Sequence, residues 1–140
     1  MKISTKGRYG TRFMVDLALH DGQGPVALRD VAARQEISDK YLEQIVQPLS
    51  KAGLIRSVRG PQGGYLLAMT PADITVGMVL RVLEGSLAPV ECVTGDLPCE
   101  RRDNCLTIGV WTRMHQAVQE IADSTTLASL IAEAQVSQRE

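Results

Sequence analysis

The chain has 140 residues, of which 44% are hydrophobic and 22% charged, with a formal net charge of −1. That profile fits a folded domain with extensions and excludes a disordered or collagen-like chain. No apolar run approaches the roughly 20 residues of a membrane span. The opening residues 1–8 are polar and basic, without the apolar segment of a secretory leader, so a cytoplasmic protein with no membrane contact is expected. The near-neutral total hides a split. Residues 1–64 carry ten Lys/Arg against six Asp/Glu, and residues 65–140 carry five against ten. A basic first half points to a polyanion partner.

Residues 7–20 read as an amphipathic helix. Tyr9, Phe13 and Leu17, with Met14 and Ala18, recur at helical spacing, and Arg8, Arg12 and Asp16 take the other side. Asp21-Gly-Gln-Gly-Pro25 stops it. A second helix over 28–35 turns Leu28, Val31 and Ala32 to one face. After a tight joint at Ile37, Ser38 is suited to cap a third helix over 39–52, with Asp39 at the positive end of its dipole. Leu42, Ile45, Val46 and Leu49 face inward, while Lys40, Tyr41, Glu43, Gln44, Gln47 and Lys51 occupy the other faces and Gly53 takes the C′ position. Pro48 removes one backbone hydrogen bond at a cost of up to about 3 kcal/mol, so a kink near 44–47 is expected.

Strands over 54–59 and 65–69 flank Gly60-Pro-Gln-Gly-Gly64 and carry Arg56 and Arg59. Helix, turn, helix and a basic-tipped hairpin predict a winged helix, a DNA-binding unit. Thr75 is suited to cap a fourth helix through Glu84, with Val76, Val79, Leu80 and Leu83 inward, and Gly85 ends it.

Residues 85–105 lose all periodicity, and Gly85, Pro89, Gly95 and Pro98 break both helix and strand. All three cysteines lie here, Cys92, Cys99 and Cys105, spaced C-x6-C-x5-C. So long an irregular loop in a compact chain implies function, disorder or a clamp. An odd cysteine count in a reducing compartment favours metal or redox chemistry over disulfides. Three thiolates need a fourth ligand for zinc or an iron–sulfur cluster. The gaps are wider than those of zinc knuckles and suit a larger cluster, with zinc and a metal-free thiol sensor as the alternatives. From 106 to 122, Leu106, Val110, Met114, Ala117, Val118 and Ile121 recur at helical spacing over roughly 25 Å. A winged domain does not need so long a helix, so it is read as a dimerisation helix. Thr125 or Thr126 caps a short last helix over 127–134.

The expected fold is mainly α with a small β-hairpin. It comprises a winged helix-turn-helix DNA-binding domain over 1–84, a cysteine loop over 85–105, and a dimerisation helix with a short helix and tail over 106–140. No Ser/His/Asp set, H-E-x-x-H, phosphate loop or dinucleotide fingerprint is present, which speaks against an enzyme.

The runs Lys6-Gly-Arg-Tyr9, Ile37-Ser-Asp-Lys-Tyr-Leu-Glu-Gln44, Ala52-Gly-Leu54 and Ser57-Val-Arg-Gly-Pro-Gln-Gly-Gly-Tyr-Leu66 resemble the Rrf2 family of bacterial transcription regulators. Within it, the likeness is to the IscR-like iron–sulfur cluster regulators, and the cysteine loop extends it over nearly the whole chain. The resemblance implies a homodimer on double-stranded DNA, its two recognition helices in successive major grooves of a palindromic operator. By position, Lys40, Glu43 and Gln44 match base-reading residues, with Ser38 and Tyr41 beside them, and Arg59 matches a minor-groove arginine. Gln bonds adenine bidentately, Glu accepts from cytosine N4, and Arg favours the negative potential of a narrow minor groove. Lys6, Arg8 and Tyr9 suit phosphate contacts. Glu43 also repels acceptor-rich base edges, so it discriminates between sites.

The resemblance further implies that Cys92, Cys99 and Cys105 hold an iron–sulfur cluster of two or four irons that senses cluster status, iron, oxygen or nitric oxide. The IscR-like relatives take a histidine three residues after the last cysteine, and Ile108 stands there. Nitric-oxide-sensing relatives take an aspartate near the N-terminus of the partner chain, where this sequence has Arg8. Candidate fourth ligands are Glu91, Glu100, Asp103, a hydroxyl, a small thiol or a partner-chain group. His115 is expected on the surface and His20 as a helix-terminal residue.

Overall fold

The computed structural model describes residues 2–95 and 99–139. Pro98, one of the expected breakers, lies outside the described residues.

Ser4 starts α1 (Thr5–Leu19), its hydroxyl accepting from the Gly7 N–H at 3.2 Å. The carboxylate of Glu84 in turn accepts from the Ser4 N–H at 2.7 Å and the Ser4 hydroxyl at 2.5 Å. Gly7 and Gly10 let α1 approach closely: a Cβ at Gly7 would strike Glu84 and one at Gly10 would strike Leu83. The fourth helix, α4 (Val76–Glu84), therefore packs directly on α1. Its start is fixed by Thr75, whose hydroxyl accepts from the Met78 N–H at 3.1 Å.

The helix-turn-helix is α2 (Leu28–Gln35) and α3 (Asp39–Lys51). The turn between them passes through Glu36, a non-glycine residue in the left-handed region at φ 55°. Ser38 caps α3 by accepting from the Tyr41 N–H at 3.1 Å. The helix continues without a break through Pro48 and ends before Gly53, at φ 79°. Leu42, Ile45, Val46 and Leu49 are all buried, as their spacing predicts.

The hairpin pairs β1 (Ile55–Val58) with β2 (Gly64–Leu67), in register Ile55 with Leu67 and Ser57 with Tyr65. Val26 adds one more rung, exchanging backbone hydrogen bonds of 2.9 and 2.8 Å with Tyr65. The wing is thus stitched to the segment that leads into α2.

The core gathers Phe13, Met14, Val31, Leu42, Ile45, Leu49, Ile74, Val79 and Leu127. Leu127 opens α6 (Leu127–Arg139), and its N–H donates to the Ile74 carbonyl at 2.9 Å. The chain therefore returns to the winged unit after α5 (Ile108–Ser124). The start of α6 is capped by Thr126, whose hydroxyl accepts from the Ser129 N–H at 3.0 Å.

Several expectations need correction. Asp16 does not lie on the solvent side of α1; it is 1% exposed. The last helix reaches Arg139 rather than ending near 134. Leu106 precedes α5 and is fully exposed, because the helix begins only after Thr107. Val76 and Leu80 are half-buried rather than core residues. His115 is also half-buried, and its Nδ1 is shielded without a hydrogen-bond partner.

Candidate nucleic-acid interface and cysteine loop

Burial of the apolar stripe of α3 fixes what its other faces can offer. Ser38, Lys40, Glu43 and Gln44 are exposed, and Tyr41 is half-buried. Glu43 lines a cleft with Ala27, Leu28 and Arg29 at the start of the second helix and Gly60, Pro61, Gly63, Gly64 and Tyr65 of the wing. Arg59 is exposed at the tip of that wing. The third helix and the wing thus border one cleft. Arg29, one of the ten basic residues of the first half, belongs to the same cleft, and no periodicity marks it out.

The first helix joins this surface through aromatic contacts. The Tyr9 and Tyr41 rings meet edge to face, 5.7 Å between centroids and 79° between planes. Arg8 and Arg12 place their guanidinium carbons 5.9 and 5.2 Å from the centre of the Tyr9 ring. Lys6 is half-buried and Arg8 exposed on the same end of α1. The structure therefore brings Tyr9 and Tyr41 together and leaves Lys6, Arg8, Lys40, Gln44 and Arg59 as a basic and polar rim.

Behind this rim lies a charge cluster that spacing alone did not reveal. Asp16 accepts from Arg34 Nε and Nη2 at 3.0 and 2.7 Å and from Gln35 Nε2 at 3.0 Å. Burial opposes its charge, but the Arg34 and Gln35 hydrogen bonds, aided by the charges of Arg34 and His20, hold the carboxyl below its usual range. A signal was present: Asp16 falls three residues after Phe13, within the apolar stripe, where an acid needs partners.

The cysteine loop is less open than its composition suggests. Short 3-10 turns span Glu91–Val93 and Arg102–Asn104. The Arg102 guanidinium donates to the Cys92 carbonyl at 2.9 Å, tying the two turns together. Cys92 and Cys105 are half-buried and Cys99 is exposed, all as free thiols. The Cys105 sulfur lies 3.4 Å from the Thr107 hydroxyl, which with the Thr107 N–H lowers the thiol pKa against slight burial. Glu91, Glu100 and Asp103 are exposed. Among the described residues, no three His, Cys, Asp or Glu side chains are gathered to hold a metal ion. The donors nevertheless suit a thiophilic centre: three unpaired thiols in one short loop, one of them biased toward thiolate.

The loop is tied to the start of α1 at its origin. Glu84, the residue before it, is the carboxylate that holds Ser4 at the start of α1. Lys2, Ile3, Ser86, Leu87 and Val118 close around the same junction. At the far end, α5 shows Val110, Met114 and Ile121 on its surface at 38%, 40% and 68% exposure.

Comparison with known proteins now decides the class. The Rrf2 profile, described as an iron-dependent transcriptional regulator, matches residues 3–133. This chain belongs to the Rrf2 family. As a member it is a DNA-binding transcription regulator and not an enzyme, and its helical fold with one hairpin is that of Rrf2 winged-helix regulators. The HTH-type transcriptional regulator CymR of Bacillus subtilis is 47% identical over 130 residues, covering 93% of this chain and 89% of the relative. Its solved structure, that of the global cysteine regulator of B. subtilis, superposes with a TM-score of 0.80 at 45% identity, covering 95% of this chain and 98% of that one. The solved structure of T. potens IscR gives a TM-score of 0.81 at 46% identity, covering 99% of this chain and 91% of that one. This Rrf2 member has no helix among the described residues long and apolar enough to cross a membrane.

Proposed function

We propose that this Rrf2 regulator acts as a homodimer on a palindromic operator and that its cysteine loop holds an iron–sulfur cluster whose presence alters operator choice. The observation that carries the DNA-reading part is the division of α3. Its whole apolar stripe is buried, while Lys40, Glu43 and Gln44 stand exposed beside the wing that bears Arg59. Gln44 and Lys40 would address base edges, and Glu43 would penalise acceptor-rich sequences. Arg59 would enter the minor groove, and Lys6, Arg8 and Tyr9 would hold phosphates, with Ser38 and Tyr41 at the head of the helix.

The uncovered apolar face of α5 supports the dimer. Three large apolar side chains on one helix face, with Leu106 fully exposed before it, form a patch that a second copy of the same helix would cover. Cys92, Cys99 and Cys105 would hold the cluster. When bound, that group supplies a redox-sensitive, labile iron centre. The chain's part would be to hold together the turns at Glu91–Val93 and Arg102–Asn104 and, through Glu84 at the head of α1, to pass their arrangement to the DNA-facing surface.

A second reading has specific support. The likeness to the B. subtilis global cysteine regulator, with three free thiols and an acidified Cys105, fits a regulator that answers to thiol state or to a protein partner without metal. One experiment tests the coupling in either form. Replacing Cys92, Cys99 and Cys105 together by Ala should change affinity for at least one operator recovered by genome-wide footprinting. Unchanged affinity for all of them overturns it.

A further inference from the structure

We infer that Arg12 is a positioning residue that sets the reading helix against α1, acting through Tyr9 and Tyr41 rather than by touching DNA. The inference rests on α3 being the base-reading helix.

Arg12 is exposed on α1, and by charge alone it would be one more phosphate contact. Its donors are directed elsewhere. Nε donates to the Gln35 side-chain carbonyl at 3.1 Å, and Nη2 donates to the Gln35 backbone carbonyl. Gln35 is the last residue of α2, immediately before the turn at Glu36. The other end of the same Gln35 amide donates to buried Asp16, which is also clamped by Arg34. A planar fork is therefore anchored at the exact point where the chain leaves α2 for α3, against a carboxylate that is itself 1% exposed. The guanidinium carbon lies over the Tyr9 ring, 5.2 Å from its centre, and Tyr9 meets Tyr41 edge to face.

Tyr41 stands in the first turn of α3, and its N–H is the one that Ser38 caps. The sequence of contacts is Asp16, Gln35, Arg12, Tyr9, Tyr41. It runs from the buried interior to the end of α3 that carries Lys40, Glu43 and Gln44. The first two links are short, directional hydrogen bonds and the last two are ring contacts, at 5.2 and 5.7 Å to ring centroids, so a shift of the guanidinium reaches the head of α3 through the two rings. Base readout depends on that placement to a fraction of an ångström, whereas phosphate attraction falls off slowly with distance. Arg12 therefore governs specificity more than charge-driven affinity.

Lysine separates the two roles, since it keeps the charge but has neither the fork nor the stacking plane. The probes are a duplex selected from a random library by the wild-type protein and a scrambled duplex of equal length, each titrated over a series of salt concentrations. Arg12→Lys should lose about tenfold on the selected duplex and bind the scrambled one as wild type does. The slope of log K against log salt should not change. Gln35→Met, which removes the side-chain acceptor of Nε and keeps the backbone one without touching charge, should lose part of that factor, and the double variant should lose no more than the worse single variant. Thermal midpoints taken alongside separate misfolding from misplacement.

Full recovery by Lys, together with a slope lowered by about 0.9 in Arg12→Ala, would make Arg12 a phosphate contact and overturn the inference. Wild-type behaviour of all variants, or equal losses on both duplexes, would overturn it too. A Gln44→Ala control that kept full preference for the selected duplex would instead remove the premise that α3 reads bases.

Discussion

Asp16 offers a sharp test of the packing argument, because the same chemistry occurs twice among the described residues at different depths. Asp16 and Arg34 form a bidentate pair with Gln35 as a third donor, and the two side chains are 1% and 39% exposed. Asp123 and Arg81 form a bidentate pair at 2.5 and 3.0 Å, with side chains 48% and 38% exposed. Removing a buried partner leaves donors without acceptors, at about 3–5 kcal/mol for a fully buried pair. Arg34 can still reach water, which lowers the expectation for Asp16→Ala to about 2–4 kcal/mol. Asp123→Ala should cost under about 1 kcal/mol. At a few degrees per kcal/mol for a chain of this size, Asp16→Ala should lower the melting midpoint by about 10 °C and Asp123→Ala by at most about 3 °C. Both are measured by calorimetry at one protein concentration, since a dimer melts in a concentration-dependent way. Equal losses from the two variants would refute the claim that burial makes the difference.

The Asp16 carboxyl sits below its usual value of 3.8 in the folded chain, so its contribution is present above that value and is lost as pH falls through the folded one. Asp16→Asn should therefore flatten the acid limb of stability below about pH 5, and an unaltered limb would contradict the assignment. Glu36 adopts the left-handed region at φ 55°, a conformation costly for a residue with a Cβ. Glu36→Gly should raise stability by about 0.5–1 kcal/mol in denaturant titration, and a loss would show that the turn is not strained. Ile121→Asp puts a charge on the apolar face of α5. Sedimentation should then report single-chain mass at micromolar protein, whereas a persistent dimer would place the interface elsewhere. Arg59→Ala should weaken operator binding and reduce the salt slope by about 0.9, and an unchanged slope would remove the wing arginine from the DNA.

Much of the framework was legible because local chemistry and burial agree along it. The bounds of α2 and the capped starts of α3 and α4 follow from apolar spacing and from Ser38 and Thr75. The hairpin follows from the glycines at 60, 63 and 64. Periodicity fails where a polar residue is buried by its partners: spacing places Asp16 on the solvent side, and it is buried. It fails again where no apolar residue marks an end: beyond Val136 the sequence is polar, and α6 nonetheless runs to Arg139. Leu106 continues the stripe of α5 by spacing, yet the helix starts at Ile108, so its side chain stands free. The exposed residues of α3 and the wing were legible residue by residue. What joins them was not, because the links from Asp16 through Gln35 and Arg12 to Tyr9 and Tyr41 cross three helices.

The cysteine loop is where composition and structure leave the most to chemistry. The most direct test of the account is the iron, acid-labile sulfide and zinc content of anaerobically purified protein, taken with its visible absorption spectrum. The account predicts iron with matching sulfide and a charge-transfer spectrum, all lost when Cys92, Cys99 and Cys105 are replaced together. A colourless protein that takes up no iron on reconstitution would contradict it, and would leave a regulator whose three thiols act without metal or, with one zinc per chain, a structural clamp.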